Sequence, residues 1–143
     1  MGKYDALKLE NQICFPLYAA AKEVVRRYKP LLDALDLTYT QYICMMVLWE
    51  CGEVNVKELG RSLYLDSGTL TPLLRKLEDK GYVSRHRADT DGRELIVGLT
   101  DAGLALRDRA LSVPGELARC VQIPRKDAEE LYRLLYELLG ALG

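Results

Sequence analysis

Apolar residues recur at three- and four-residue spacing along most of this chain, a period typical of amphipathic helices. The first apolar stripe, over residues 17–35, is interrupted by Pro30. Because proline is tolerated at a first helical position but disfavoured inside a helix, the pattern predicts one helix that ends before Pro30 and a short second helix that begins there. The next segment begins with Thr38 and has Gln41 three residues later, which predicts a capping box before an almost wholly apolar and therefore buried helix.

Two further short helices are predicted between residues 55 and 81, with a very short connection between them. Asn55 is the expected N-cap of the first helix, Asp66 or Ser67 begins the second, and Gly81 ends it. Only residues 64–66 separate the two helices. Two helices joined by so short a turn are typical of a helix-turn-helix, in which the second helix presents its N-terminal residues to the major groove of DNA.

The apolar period changes from helical to alternating after this second helix. Leu95, Val97 and Leu99 occupy alternate positions, as in a half-buried strand, and the preceding "ADTDG" is typical of a turn between two strands. A helix-turn-helix followed at once by a β-hairpin is a winged-helix arrangement. The predicted fold is therefore mainly α with a small β-hairpin wing, a winged helix-turn-helix.

The C-terminal part of the chain is again helical in pattern. Thr100 is the expected cap of one helix, which Pro114 and Gly115 should terminate, and a last helix is expected after Pro124. The last helix carries a wide apolar stripe made of Leu131, Leu134, Leu135, Leu138, Leu139 and Leu142. An exposed stripe of this width needs a partner.

DNA-binding proteins of this type gain a second half-site by two-fold symmetry, so we expect the first and last helices of two chains to pack into a homodimer. Packing of the stripe within its own chain is the alternative. The predicted organisation is one compact chain in which residues 1–37 and 101–143 form a helical dimerisation region. Residues 38–100 form the DNA-binding region.

Contacts with DNA are predicted at the start of the second helix of the helix-turn-helix and on the hairpin. Small and hydroxyl side chains allow close approach to phosphates or base edges, and an arginine at a hairpin tip can enter the minor groove. The predicted residues are Ser67, Gly68, Thr69, Thr71, Arg75, Arg85, Arg87 and Arg93. The alternatives are an ordinary capped core helix and arginines that only solvate an exposed hairpin.

The composition is that of a globular domain, since 49% of the 143 residues are hydrophobic and 29% are charged. The net charge of −1 argues against indiscriminate coating of nucleic acid but does not exclude specific reading by one docked helix. No apolar run reaches the about 20 residues needed to cross a bilayer, and the N-terminus lacks the apolar core of a signal peptide. We therefore expect a cytoplasmic protein without a membrane partner.

Four cysteines, Cys14, Cys44, Cys51 and Cys120, are widely spaced, so reduced thiols are expected and a disulfide framework is not. Cys44 and Cys51 lie seven residues apart on one face of the apolar helix and are predicted to be structural. The single histidine, His86, stands between two arginines and is expected to face solvent on a strand. Without CxxC pairs or further histidines, no metal site and no cofactor are expected.

Several segments together closely resemble the MarR family of winged-helix repressors, and within it the organic-hydroperoxide-sensing OhrR type. These segments are "LENQICFPLYAA", "YKPLLDALDLTYTQY", "VKELGRSLYLDSGTLTPLLRKLEDKG" and the wing "DGREL", and the resemblance covers essentially the whole chain. It implies a homodimeric repressor that binds double-stranded operator DNA and is not an enzyme. It also implies release from DNA when an organic hydroperoxide, acting as inducer, oxidises a sensor cysteine.

The resemblance assigns the sensor to Cys14, in "NQ.CF", and places Tyr28 and Tyr39 against its thiolate from the opposite subunit. Phenol donors and a helix N-terminus both favour a thiolate over a thiol. Tyr18, one helical turn after Cys14, is a weaker candidate for the same role, with core packing as its alternative. Cys120 stands where a resolving cysteine would lie in part of the subfamily, and the alternative is resolution by a small cellular thiol.

Two other functions stay open at this point. A cysteine peroxidase would use the same first chemical step at Cys14 and would turn over with a thiol reductant. A MarR-type repressor released by an aromatic small molecule would leave Cys14 with a structural role only.

Overall fold

The computed structural model describes residues 2–89 and 92–143, and over these ranges the chain forms helices and one small antiparallel sheet. Thr90 and Asp91, in the predicted hairpin turn, lie outside the described residues. Two short 3-10 helices, Asp5–Leu7 and Leu9–Asn11, come first. The elements that follow are α1 (Cys14–Asp33), α2 (Tyr39–Cys51), β1 (Glu53–Asn55), α3 (Val56–Leu63), α4 (Ser67–Asp79), β2 (Val83–Arg87), β3 (Leu95–Leu99), α5 (Asp101–Ala110), α6 (Val113–Cys120) and α7 (Arg125–Leu142).

Helix α1 is continuous, so the prediction that one helix ends before Pro30 and another begins there is wrong. Pro30 lies inside the last turn of α1. Its fixed φ is compatible with a helix, and what it loses is one backbone hydrogen bond. Leu32 in the same turn is buried in the core, and burial of a leucine offsets a loss of that size.

The capping box predicted before α2 is confirmed. The Thr38 side chain accepts a hydrogen bond from the backbone N–H of Gln41, and Gln41 Oε1 accepts one from the backbone N–H of Thr38 at 3.0 Å. Cys44 is buried, as predicted, at the centre of the core. Cys51 is exposed, so the prediction that it is buried and structural is wrong: it is the last residue of α2, and Gly52 after it, with φ of 79°, turns the chain away.

The helix-turn-helix is confirmed as α3 and α4. Asn55 and Asp66 are their N-caps, and Tyr64 between the helices adopts a left-handed conformation with φ of 56°. The tight turn requires Gly60, because a Cβ at this position would lie 2.9 Å from the carbonyl oxygen of Leu65. Leu65 in turn donates its backbone N–H to the carbonyl of Gly60 at 2.9 Å, and this hydrogen bond closes the turn.

The strands predicted for the wing are confirmed as β2 and β3, which pair in antiparallel fashion. Strand β1 also pairs with β3, so the sheet order is β1-β3-β2. Sequence reasoning missed β1 because a strand of three residues shows no alternation. Its last residue, Asn55, is also the N-cap of α3, which is the role that its side chain signals.

The predicted cap Thr100 is confirmed, since its side chain accepts the N–H of Gly103 at 3.1 Å. The prediction that Pro114 and Gly115 terminate this helix is wrong. Helix α5 ends earlier, at Ala110, and both residues lie in the first turn of α6. A proline near the first position of a helix loses no backbone hydrogen bond. Pro114 therefore fits the start of α6, although a proline inside a helix would end it.

The buried core extends from Leu32 to Val113 and is centred on α2, α4 and the sheet. Helix α7 has no buried residue, and its apolar stripe lies open to solvent in the single chain. Helix α1 packs against α2 and α6. The chain therefore has a closed core in its middle and open apolar surface at its two ends.

Candidate functional site

Cys14 is the first residue of α1, and its thiol is exposed. The first turn of a helix has backbone N–H groups without intrahelical partners and the positive end of the helix dipole. Both features interact favourably with a negatively charged sulfur. An accessible sulfur at this position can act as a nucleophile toward a small electrophile that reaches the surface.

Two amide side chains immediately before Cys14 organise the N-terminal segment. Asn11 Nδ2 donates to the carbonyl of Asp5 at 2.7 Å, and Gln12 Nε2 donates to the carbonyls of Ala6 and Lys8 at 2.7 and 2.9 Å. These bonds hold residues 5–8 against Asn11 and Gln12, just before the start of α1. The sequence pattern does not predict this role of the two amides, because their backbone partners lie four to six residues away and form no recognisable motif.

Three tyrosines form a cluster, here called the tyrosine cluster, at the junction of α1 and α2. The ring centroid of Tyr28 lies 4.9 Å from that of Tyr39 and 5.7 Å from that of Tyr42. Burial, and secondarily the neighbouring phenols, raise the pKa of Tyr28 to about 12, and burial also raises the pKa of the other two. All three phenols therefore stay protonated near neutral pH and can act as hydrogen-bond donors.

Tyr42 belongs to this cluster although it was not among the predicted site residues. It is three residues after Tyr39, so both lie on the same side of α2, and this spacing was the available signal. Tyr42 is buried in the core, and its ring packs against the rings of Tyr28 and Tyr39.

One chain does not bring Cys14 and Tyr28 together. Tyr28 lies fourteen positions after Cys14 along the continuous helix α1, which corresponds to about 21 Å at the rise of an α-helix. Tyr39 contacts Tyr28 and is therefore far from Cys14 as well. Tyr18, one turn after Cys14, is exposed. A contact between Cys14 and the tyrosine cluster requires a second chain.

The four cysteines differ sharply in their surroundings. Cys14, Cys51 and Cys120 are exposed free thiols, whereas Cys44 is buried and free. Burial raises the pKa of the Cys44 thiol to about 12, so it remains a protonated, inert core residue. Cys120 is the last residue of α6 and has an accessible sulfur.

Five of the residues predicted to contact DNA lie on α4. Asp66 caps the helix by accepting the Thr69 N–H at 2.8 Å, and this bond lowers the pKa of the Asp66 carboxyl. One face of α4 is buried in the core. All five predicted residues of α4 are exposed: Ser67, Gly68, Thr69, Thr71 and Arg75.

Arg85 and Arg87 of the wing both have partners within the chain. Arg85 is ion-paired with Glu78 of α4, with Nη2 and Oε1 at 2.6 Å, so its side chain joins the wing to α4. Arg87 Nη1 donates to the backbone carbonyl of Arg93 at 3.1 Å, which supports the end of the hairpin. His86 is exposed, as expected for a solvent-facing strand residue. Contacts of these arginines with DNA stay predictions.

Within residues 2–89 and 92–143, no group of three or more His, Cys, Asp or Glu side chains is placed to hold a metal ion. In the same ranges no helix combines the length and the apolar character that crossing a membrane requires.

The known proteins that this chain resembles are transcriptional regulators. A family described as transcriptional regulator SarA/Rot matches residues 26–109. The organic hydroperoxide resistance transcriptional regulator of Bacillus subtilis is 44% identical over 141 residues, which covers 99% of this chain and 96% of that protein.

Two solved states of one protein, AbfR of Staphylococcus epidermidis, are also similar to this chain. Reduced AbfR bound to DNA has a TM-score of 0.81 and 33% identity, covering 99% of this chain and 96% of that chain. Disulfide-formed AbfR has a TM-score of 0.66 and 34% identity, covering 96% of each chain.

Proposed function

Because this chain belongs to the MarR-type winged-helix transcriptional regulators, in the group that senses organic hydroperoxides, we propose that it is a repressor whose release from operator DNA is triggered by oxidation of Cys14. The observation that carries the proposal is the exposed Cys14 thiol at the N-terminus of α1. Its full-length relative in Bacillus subtilis is named for organic hydroperoxide resistance, and reduced AbfR is found on DNA.

The repressor acts as a homodimer. The open apolar stripe of α7 and the apolar start of α1 need a covering surface, and a second copy supplies one by two-fold symmetry. The long separation along α1 supports the same conclusion, because only a partner chain can bring the phenols of the tyrosine cluster to Cys14. In the dimer, Tyr28 and Tyr39 of the partner subunit donate hydrogen bonds to the Cys14 thiolate.

The chemistry starts with attack of the Cys14 thiolate on the terminal oxygen of an organic hydroperoxide. The S–O bond forms as the O–O bond breaks, and the leaving alkoxide takes up a proton and departs as an alcohol. Cys14 is oxidised by two electrons to a sulfenic acid, and the peroxide is reduced. The thiolate of Cys120 of the partner subunit then attacks the sulfenic sulfur, so that an S–S bond forms as the S–O bond breaks, and the departing hydroxide takes up a proton to become water.

A change of shape on disulfide formation accounts for release. This chain is more similar to reduced, DNA-bound AbfR than to disulfide-formed AbfR, with TM-scores of 0.81 and 0.66. The similarity supports assignment of the present structure to the DNA-binding state. Displacement of the two DNA-binding regions relative to each other would take both recognition helices out of register with their half-sites.

The test is operator binding by the full chain, measured on DNA that flanks its own gene, before and after addition of cumene hydroperoxide. Release by the hydroperoxide and rebinding after dithiothreitol treatment are expected. Steady consumption of hydroperoxide with a thiol reductant, without DNA binding, would favour the peroxidase. Release by salicylate from a variant with all four cysteines replaced by serine would favour a ligand-released repressor.

A further inference from the structure

We propose that Lys80 is a positioning residue that ties the recognition helix α4 to the corner that leads into Tyr39, and that oxidation of Cys14 reaches the DNA-binding surface through this tie. The corner is residues 34–38, between α1 and α2. The inference rests on the proposed function, because it concerns the step between oxidation and release. Nothing in the motifs of the sequence marks Lys80 for such a role.

The contacts of Lys80 cross between two regions that are distant in sequence. Lys80 immediately follows α4, and its Nζ donates to the backbone carbonyl of Asp36 and to Gln41 Oε1, the latter at 2.9 Å. Asp36 Oδ1 lies 3.7 Å from the same nitrogen. Asp36 holds a left-handed conformation with φ of 55°, and the lysine bonds to its carbonyl oxygen. The ammonium group therefore stabilises a backbone conformation that is costly for an aspartate.

Gln41 connects this contact to the tyrosine cluster. The Gln41 side chain is buried, and its Oε1 accepts both the Lys80 ammonium and the backbone N–H of Thr38. Tyr39 lies between Thr38 and Gln41, in the first turn of α2. A shift of Tyr39, when the sulfur it contacts is oxidised, moves this first turn and with it the oxygen that holds Lys80.

The end of α4 and the turn after it are also joined to the rest of the DNA-binding region. Glu78 pairs with Arg85 of β2 at 2.6 Å, and Thr100 Oγ1 donates to the carbonyl of Gly81 at 2.6 Å. Movement of this turn is therefore communicated to the wing as well as to α4. The polar bonds are directional, so they transmit a displacement of the corner more faithfully than the apolar contacts between α2 and α4.

The structure also permits a clean substitution at this position. Lys80→Met keeps the apolar stem and removes the ammonium group. Gln41 Oε1 retains the N–H of Thr38, so no buried acceptor is left without a donor. A matched control is Lys29→Met, because Lys29 is an exposed lysine of α1 whose ammonium group pairs with Asp33 of the same helix at 3.0 Å.

The experiment measures two quantities in each variant of the full chain: the rate of Cys14 oxidation by cumene hydroperoxide, and the ratio of operator affinities before and after oxidation. In Lys80→Met the oxidation rate should stay at the level of the unmodified protein, while the affinity ratio falls by about tenfold, within the usual range of coupling between two sites. Lys29→Met should change neither quantity. Lys80→Arg, which keeps a cationic donor, should restore most of the ratio.

Hydrogen exchange gives a second readout that a merely structural lysine would not change. Oxidation should alter exchange of the amides of residues 78–81 in the unmodified protein and in Lys29→Met, but not in Lys80→Met. Fluorescence of Trp49, the single tryptophan, reports whether each variant is folded, and Lys80→Gln replaces Lys80→Met if the latter unfolds.

The outcomes separate the two proposals. An affinity ratio in Lys80→Met equal to that of the unmodified protein would overturn the role of Lys80. Oxidised Cys14 without release in the unmodified protein and in Lys29→Met would instead overturn the proposed redox function.

Discussion

The middle of this chain and its two ends differ in how much of their apolar surface is buried within one chain. Residues 32–113 contain every buried apolar residue of the described core, whereas α7 buries none and the exposed Cys14 begins α1. The DNA-binding region is thus complete within one chain. In the proposed dimer the sensing region is completed by a second copy, so a chemical change at Cys14 would act on an interface rather than on a closed core. An interface can rearrange at a smaller cost in free energy than a close-packed interior.

Two cysteines show the same contrast in their chemistry. Cys14 is accessible at a helix N-terminus, whereas Cys44 is enclosed in α2, where burial raises the pKa of its thiol to about 12. One residue type is therefore available for reaction at the open end of the molecule and inert in its closed middle.

The largest expected effect separates these two thiols. Cys14→Ser should bind operator DNA normally and lose all release by organic hydroperoxide, because serine cannot form a sulfenic acid. Cys44→Ser is the control, and it should still be released although the buried hydroxyl makes it less stable. Binding assays with and without cumene hydroperoxide check both. Release of Cys14→Ser would remove the sensor assignment.

A covalent link between the open ends is the next expected effect. After hydroperoxide treatment, a non-reducing gel should show a disulfide-bonded dimer that disappears in Cys14→Ser and in Cys120→Ser. Cys51→Ser, which removes another exposed thiol, should keep it. A dimer that persists in Cys120→Ser and vanishes in Cys51→Ser would identify Cys51 as the partner. Absence of any covalent dimer would favour resolution by a small cellular thiol.

Stability should respond differently in the two regions. Leu48 is fully buried in α2, so Leu48→Ala should lower the free energy of unfolding by about 2–5 kcal/mol. Leu134 lies in the open stripe of α7, so Leu134→Ala should mainly weaken the dimer and make the melting temperature more dependent on protein concentration. Denaturant unfolding at two concentrations tests this difference. Equal and concentration-independent losses would show that α7 packs within its own chain.

The wing should contribute to DNA affinity without supporting the dimer. Arg93→Ala should weaken operator binding by about 1–3 kcal/mol at moderate salt, because an arginine in the minor groove adds electrostatic and shape recognition. Arg133→Ala, on α7, is the control and should leave operator affinity unchanged. Gel filtration should show both variants as dimers. An unchanged affinity in Arg93→Ala would argue against the wing as a DNA contact.

The smallest expected effect concerns the tyrosine cluster. Tyr39→Phe removes one phenol donor and should slow Cys14 oxidation by about fivefold, as expected for the loss of a hydrogen bond worth about 1 kcal/mol. Tyr132→Phe, an exposed tyrosine of α7, should oxidise at the normal rate. Stopped-flow measurements of thiol loss check the pair. Identical rates would leave Tyr39 with only a packing role.

Local patterns predicted much of this structure correctly, because their causes lie within a few residues of each other. The capping box at Thr38, the cap at Thr100 and the alternation in β3 each depend on neighbours along the chain. The pattern predicts helix breaks at Pro30 and at Pro114, and both predictions are wrong. The cost of Pro30 is offset by burial of Leu32, and Pro114 begins a helix instead of ending one.

Sequence alone determined the mainly helical character of the chain, the helix-turn-helix with its wing, and the presence of Cys14 at a helix start, since hydrogen bonding and apolar periodicity over short distances decide these features. Tertiary structure alone decided that Cys51 is exposed, that Tyr42 completes the tyrosine cluster, and that Lys80 reaches Gln41 from 39 residues away. These features depend on how separate elements pack against each other. That packing minimises the free energy of the whole chain, and no single segment carries a local pattern that records it.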